Sequence, residues 1–358
     1  MIASLIKVFI PTVLGFFVGI GITPMLTKMM YKHRMWRRNS RSKVDVSDLS
    51  EAFKKIHGEH KEVAEKSTPR VGGIIIWASI LITTGLVYLI SLYIPSPVSD
   101  KLNFLSRNQT LVPLAAHIFG ALLGLADDVL QIVGLGNKTT DDVRYRYIKI
   151  GLITLAGLVI GYWLYAKLGI TTLQVPFDGV IHLGWLIIPF FIIVLLGVFS
   201  SGVIDGIDGL AGGVLATIFA SYTTIAFFNN QIDIAALCGL ITGSLLAFLW
   251  FNIPPARFYM GETGMLALTV VIGVVAFLTN TVLLLPLIAF PLVATSLSVV
   301  IQIISKKYFG KKVFRVAPLH HHFESLGWPS YKVTMRYWII SIVCAISGVI
   351  IALVDTRI

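Results

Sequence analysis

Five carboxylates fall in three short stretches, each flanked by glycine and each at the edge of an apolar run. Asp127 and Asp128 close Gly124-Leu125-Ala126-Asp127-Asp128. Asp205 and Asp208 lie in Ile204-Asp205-Gly206-Ile207-Asp208-Gly209-Leu210-Ala211, and Glu262 lies in Met260-Gly261-Glu262-Thr263-Gly264. Adjacent carboxylates repel one another, so such a set is costly unless something cationic is bound. Hard oxygen ligands suit Mg²⁺, which keeps waters and adds substrate phosphates to its shell. A metal held between carboxylates and a diphosphate would neutralise charge and polarise phosphorus. The plain alternative is a set of solvated loop acids and helix caps, and Asp208, heading a helix, reads as readily as a cap. Five acids in three loops make that alternative the weaker one for the set. The flanking glycines allow sharp turns, and the turn before Leu210 offers helix N–H groups to an anion.

Two further groups could bind a substrate. Pro318-Leu319-His320-His321-His322-Phe323-Glu324 carries three consecutive histidines. Adjacent side chains point in different directions and no second ligand cluster accompanies them, so a zinc site is disfavoured. Trp250-Phe251-Asn252 and Pro254 to Tyr259 stand just ahead of Glu262. An aromatic there could stack on a nucleobase, and an aromatic belt at a membrane interface explains it equally well. His117 reads as a helix-packing residue, and His33, His57, His60 and His182 as exposed loop residues.

The elements that must position these groups are membrane spans. The 358 residues are 56% hydrophobic and only 13% charged, against about a quarter charged in a typical soluble domain. Apolar segments of near-spanning length run at 3–25, 71–94, 111–126, 148–166, 183–200, 209–228, 234–251, 264–279, 282–304 and 337–354. The fold class is therefore all-α, a polytopic membrane protein with about ten helices forming one domain over 1–358. The first run lacks a small-residue cleavage site and reads as a retained span. Pro286 and Pro291 predict a kink or break in the ninth segment. With the first span starting outside, 24 of the 29 Lys and Arg fall in inner loops, and 14 of the 18 acids accompany them. Basic loops stay on the cytoplasmic side, which places both termini outside and all five site acids inside. The same loops, facing anionic membrane lipids, account for the +11 net charge. No nucleic-acid-binding module is visible. Leu49, Phe53 and Ile56 at helical spacing, capped by Ser47 or Asp48, predict a short helix on the membrane surface. Cys238 and Cys344 lie in apolar runs and suggest no disulfide.

Residues Ser67-Thr68-Pro69-Arg70-Val71-Gly72-Gly73, Gly124 to Asp128, Asp205 to Ala211 and Trp250 to Gly264 together resemble the polyprenyl-phosphate N-acetylhexosamine-1-phosphate transferases. Pro318 to Glu324, then Gly327-Trp328-Pro329, Lys332 and Arg336 to Ser341, narrow the resemblance to the phospho-N-acetylmuramoyl-pentapeptide transferase family. The likeness spans nearly the whole chain. It implies transfer of the phosphosugar from UDP-MurNAc-pentapeptide to undecaprenyl phosphate, giving lipid I and UMP in a bacterial inner membrane, with Mg²⁺. Residue by residue, it implies that Asp127 deprotonates or positions the lipid phosphate and that Asp128 supports it or the metal. Glu262 becomes a metal ligand, and Asp205 lines the diphosphate region. Asp208 and Tyr259 hold the uridine, with Asn252 beside them. His320, His321 and His322 bind the nucleotide-sugar diphosphate, with Lys66 and Thr68 in the neighbouring loop.

Five positions depart from the implied pattern. Phe199 and Gly202 stand where two Asn are usual, Arg70-Val71 replaces Thr-Met, and Glu262 replaces a shorter Asp. A GlcNAc-1-phosphate transferase sharing the acidic loops is the alternative within the superfamily, and a relative without catalysis is another. A cation-coupled transporter, from a different class, predicts ionisable residues near span centres and repeated halves, and neither is visible. Direct in-line attack and a covalent aspartyl-phosphate route both remain open. A homodimer through the spans is compatible with the sequence, but no small-residue pattern decides it.

Overall fold

The computed structural model describes residues 2–36, 68–94, 96–106, 109–133 and 143–355. The expected surface helix at 48–56, and Lys66, lie outside them. Among the described residues, ten helices are long and apolar enough to cross a membrane. They are α1 (Ile2–Lys32), α2 (Gly73–Tyr93), α3 (Leu111–Val133), α4 (Val143–Ala166), α5 (Ile187–Ser200, extended by 3-10 turns to a span of Gly184–Ile204), α6 (Leu210–Phe228), α7 (Ile232–Asn252), α8 (Gly261–Leu278), α9 (Phe290–Phe309) and α10 (Ser330–Asp355). The chain is thus an all-α polytopic membrane protein. A small antiparallel hairpin, β1 (Thr172–Val175) and β2 (Gly179–His182), interrupts it between α4 and α5 with Thr172 opposite His182. No apolar alternation announces that hairpin, and β2 is exposed along its length.

α8 is the axis of the bundle. Every residue from Thr263 to Leu278 is buried, which explains why its sequence is apolar all round rather than on one face. α2, α3 and α5 pack against it. On the far side α1 lies along α7, where small residues let the backbones touch. A side chain at Gly243 would collide with the carbonyl of Thr12. Some buried hydroxyls are absorbed locally, as Thr23, Thr269 and Thr295 each donate to the carbonyl four residues earlier.

The proline-bearing ninth segment breaks as expected. A 3-10 turn at Val282–Leu284 and a four-residue helix at Leu285–Ile288 precede α9, whose first turn holds Pro291. Elsewhere apolarity alone understates helix length. α3 continues to Val133, past Asp127 and Asp128, and α10 begins seven residues ahead of the apolar run, at Ser330. Polar residues extend helices beyond the hydrocarbon because backbone hydrogen bonds continue there unopposed.

Candidate active site

The acids meet at the end of the bundle where α3, α5 and α7 finish and α6 and α8 begin. Asp127 and Asp128 sit on the last turns of α3 and are almost fully buried, 4% and 3% exposed. Asp128 accepts hydrogen bonds from the backbone N–H groups of Glu262 (3.1 Å) and Thr263 (2.9 Å). It therefore caps the positive end of α8, the place where a helix favours an anion. The approach of α3 to α8 needs Gly124, since any side chain there would strike the backbone of Glu262. Glu262 thus belongs to the first turn of α8 instead of a loop.

Asp205 ends a 3-10 turn, Ser201–Ile204, and accepts from the N–H of Gly261 (3.1 Å). Its enclosure pushes the carboxyl up to about 6, opposed by the Gly261 N–H and the Arg70 guanidinium and reinforced by Glu262 and Asp208. Asp208 does not cap α6. The cap position is Gly209, and the Asp208 carboxylate instead accepts from the N–H of Ala256 (3.1 Å). Asn252 is buried and spends its amide on two backbone groups, accepting from Gly209 N–H (3.1 Å) and donating to Phe258 O (2.8 Å). It locks the Asp208 turn against the Tyr259 strand. That strand pairs with the segment after Thr68, through Tyr259 N–H to Pro69 O (2.8 Å) and Gly72 N–H to Tyr259 O (2.9 Å). Thr68 itself is buried.

The three histidines share a short helix, Leu319–Ser325, with the His320 and His321 rings in edge contact at 4.3 Å. His320 is fully buried, and burial pushes its imidazole down to about 3, so it is neutral at physiological pH. His321 pairs through Nδ1 with Glu324 (2.7 Å), which also accepts from the Ser330 hydroxyl. That pairing turns Nε2 toward Gly206, 3.1 Å from where a side chain there would begin. Only glycine lets the histidine helix lie on the Asp205–Asp208 turn. His322 Nδ1 accepts from Arg315 N–H (3.2 Å). Phe323 stacks on Trp328 at 4.9 Å, and Arg336 of α10 lies 4.1 Å from the Trp328 ring. The Gly327-Trp328-Pro329 motif thereby fastens the histidine helix to α10.

A lysine ammonium sits between two of the carboxylates. Lys149 of α4 places Nζ 2.9 Å from Asp127 Oδ2 and 2.8 Å from Glu262 Oε2, with the Phe199 ring 5.5 Å away. Phe199 and Glu262, two of the positions at which the chain departs from the expected pattern, both meet this side chain. Lys149 falls inside the apolar segment expected at 148–166, and an ionisable residue within a span was the signal that could have found it. Arg70, opposite Asp205, carried no such signal. The carboxylates are the donor class that Mg²⁺ prefers. As placed they do not fit it, because the ammonium takes the point between Asp127 and Glu262. Among the described residues, no three acidic, histidine or cysteine side chains are grouped to hold a metal.

The Glycosyl transferase family 4 profile matches residues 110–280, the stretch that contains all five acids. A phospho-N-acetylmuramoyl-pentapeptide-transferase of Geobacillus sp. (strain WCH70) is 36% identical over 297 residues, 82% of this chain and 86% of that protein. The same-named protein of Thermoanaerobacter sp. (strain X514) is 36% identical over 80% of this chain and 84% of its own length. That of Chloroflexus aurantiacus is 34% identical over 83% and 80%. Kinship of this depth, over four fifths of both partners, means that this chain belongs to the phospho-N-acetylmuramoyl-pentapeptide transferase family.

Proposed function

We propose that the chain transfers phospho-N-acetylmuramoyl-pentapeptide from UDP-MurNAc-pentapeptide to undecaprenyl phosphate, giving lipid I and UMP, with residues 1–358 acting as one transferase domain. The observation that carries this reading is the convergence of Asp127, Asp128, Asp205 and Glu262 on the head of α8, with the histidine helix lying on Gly206. The relatives' names supply the donor and exclude nothing about the fold's other chemistry.

In this reading an oxygen of the lipid phosphate attacks the β-phosphorus of the donor. A new P–O bond forms, the bond to the bridging oxygen breaks, and UMP leaves with that electron pair. Asp127 takes the proton of the attacking phosphate, or orients it when already ionised. Asp128 fixes the head of α8 and with it Glu262. Asp208 and Tyr259 hold the uridine, Asn252 fixes the turn between them, and Asp205 and the three histidines line the diphosphate. Thr68, and Lys66 beyond the described residues, complete the nucleotide side. Mg²⁺, if it enters, adds charge neutralisation at the diphosphate. Most of the rate enhancement comes from positioning two anions against fixed charges.

Purified wild type supplied with both substrates is expected to release UMP. Asp127→Asn should lose at least about 100-fold in kcat while remaining folded, the usual scale for a lost proton acceptor. Near-normal turnover by Asp127→Asn would remove Asp127 from the mechanism.

A further inference from the structure

Among the described residues, Lys149 is the side chain that forms ion pairs with carboxylates from two different spans. Its ammonium bridges Asp127 of α3 and Glu262 of α8 at 2.9 and 2.8 Å, and its side chain is 13% exposed. The Phe199 ring of α5 lies 5.5 Å from the charge, with the ammonium over its face. A cation so placed is held by two ion pairs and a ring face, in an enclosure that weakens screening by solvent. Without it, the buried Asp127 carboxylate and the partly exposed Glu262 carboxylate would be left without the cation they share.

We propose that Lys149 is the resident cation of this cluster and competes directly with divalent metal for the Asp127–Glu262 position, so that it sets how tightly the enzyme holds such an ion. A divalent ion needs oxygens at about 2.1 Å if it is Mg²⁺, and these two oxygens are already engaged by an ammonium. Metal entry therefore requires Nζ to withdraw along α4. Withdrawal is available to lysine because four rotatable bonds connect the charge to the backbone. The consequence is a site whose affinity for metal is lowered by its own counter-ion. The proposal rests on the acidic cluster being the reaction centre, but not on the identity of the sugar donor.

The test is Mn²⁺ binding to the purified full-length chain in detergent, read from the loss of the free-Mn²⁺ electron paramagnetic resonance signal without any substrate. Lys149→Gln is expected to bind Mn²⁺ at least tenfold more tightly than wild type, and Lys149→Arg is expected not to. Adding Asp127→Asn to Lys149→Gln should abolish the gain. Unchanged or weaker binding by Lys149→Gln overturns the proposal, as does a gain that survives Asp127→Asn. Should Lys149→Gln fail to fold, Phe199→Leu keeps both ion pairs and removes the ring without adding an oxygen ligand. It is expected to tighten Mn²⁺ severalfold, and no change there is equally fatal. Because turnover is never measured, failure here leaves the transfer reaction untouched, and failure of the transfer assay leaves this result standing.

Discussion

Asp128 ties the chemistry to the packing, because the carboxylate beside the proposed proton acceptor is also the cap of the central helix. Asp128→Ala should therefore be less stable than Asp128→Asn by about 1 kcal/mol, the usual worth of a side-chain cap, although both lack the charge. Thermal unfolding in detergent compares them directly, and equal stability would contradict the capping role. His320 makes a second residue-scale prediction. Its folded value near 3 lies below the ordinary 6.5, so as pH falls below 6.5 the unfolded chain takes up a proton that the folded chain refuses. Stability is lost in that direction, by about 2 kcal/mol at pH 5 from this residue. The loss of melting temperature between pH 7 and pH 5 should shrink in His320→Leu, and an unchanged pH slope would assign the effect elsewhere. All five acids of the site, and the three histidines, were legible in the sequence. Lys149 was not singled out, because its partners lie 22 and 113 residues away and no local spacing links them. Asp208 read as a possible cap because it precedes a helix, and its real partner, Ala256 N–H, comes from a distant loop.

At the scale of elements, the site exists because α3 and α8 approach without side chains between them. Gly124→Ala should push α3 off Glu262, since the added methyl meets backbone that cannot swing aside. A loss of about 1–3 kcal/mol is expected from such overpacking, with a larger proportional loss of activity. Gly85→Ala on α2, where nothing lies within 4 Å, is the control and should be neutral or slightly stabilising. If both variants unfold at the wild-type temperature, the close approach is not what positions Glu262. Apolar run lengths revealed all ten spans, and Pro286 and Pro291 revealed the break before α9. Helix ends and the β1–β2 hairpin escaped, because polar helix ends and a short exposed hairpin leave no hydrophobic period to read.

The whole molecule is a multi-pass protein of the bacterial inner membrane, and we propose its orientation from charge, with 24 of 29 basic residues on the loops beside the acids. Asp178→Cys in the hairpin turn should react with a membrane-impermeant maleimide in intact spheroplasts. Lys312→Cys should react only after permeabilisation. Both positions are exposed, and the reverse pattern would invert the topology. In the proposed orientation the acidic site faces the cytoplasm, beside an acceptor held in the membrane. The most direct test of that account is UMP release by purified protein with undecaprenyl phosphate, comparing UDP-MurNAc-pentapeptide with UDP-GlcNAc. Release with the muramoyl donor and none with UDP-GlcNAc is the predicted result. Release only with UDP-GlcNAc, or with neither from folded protein, would contradict it.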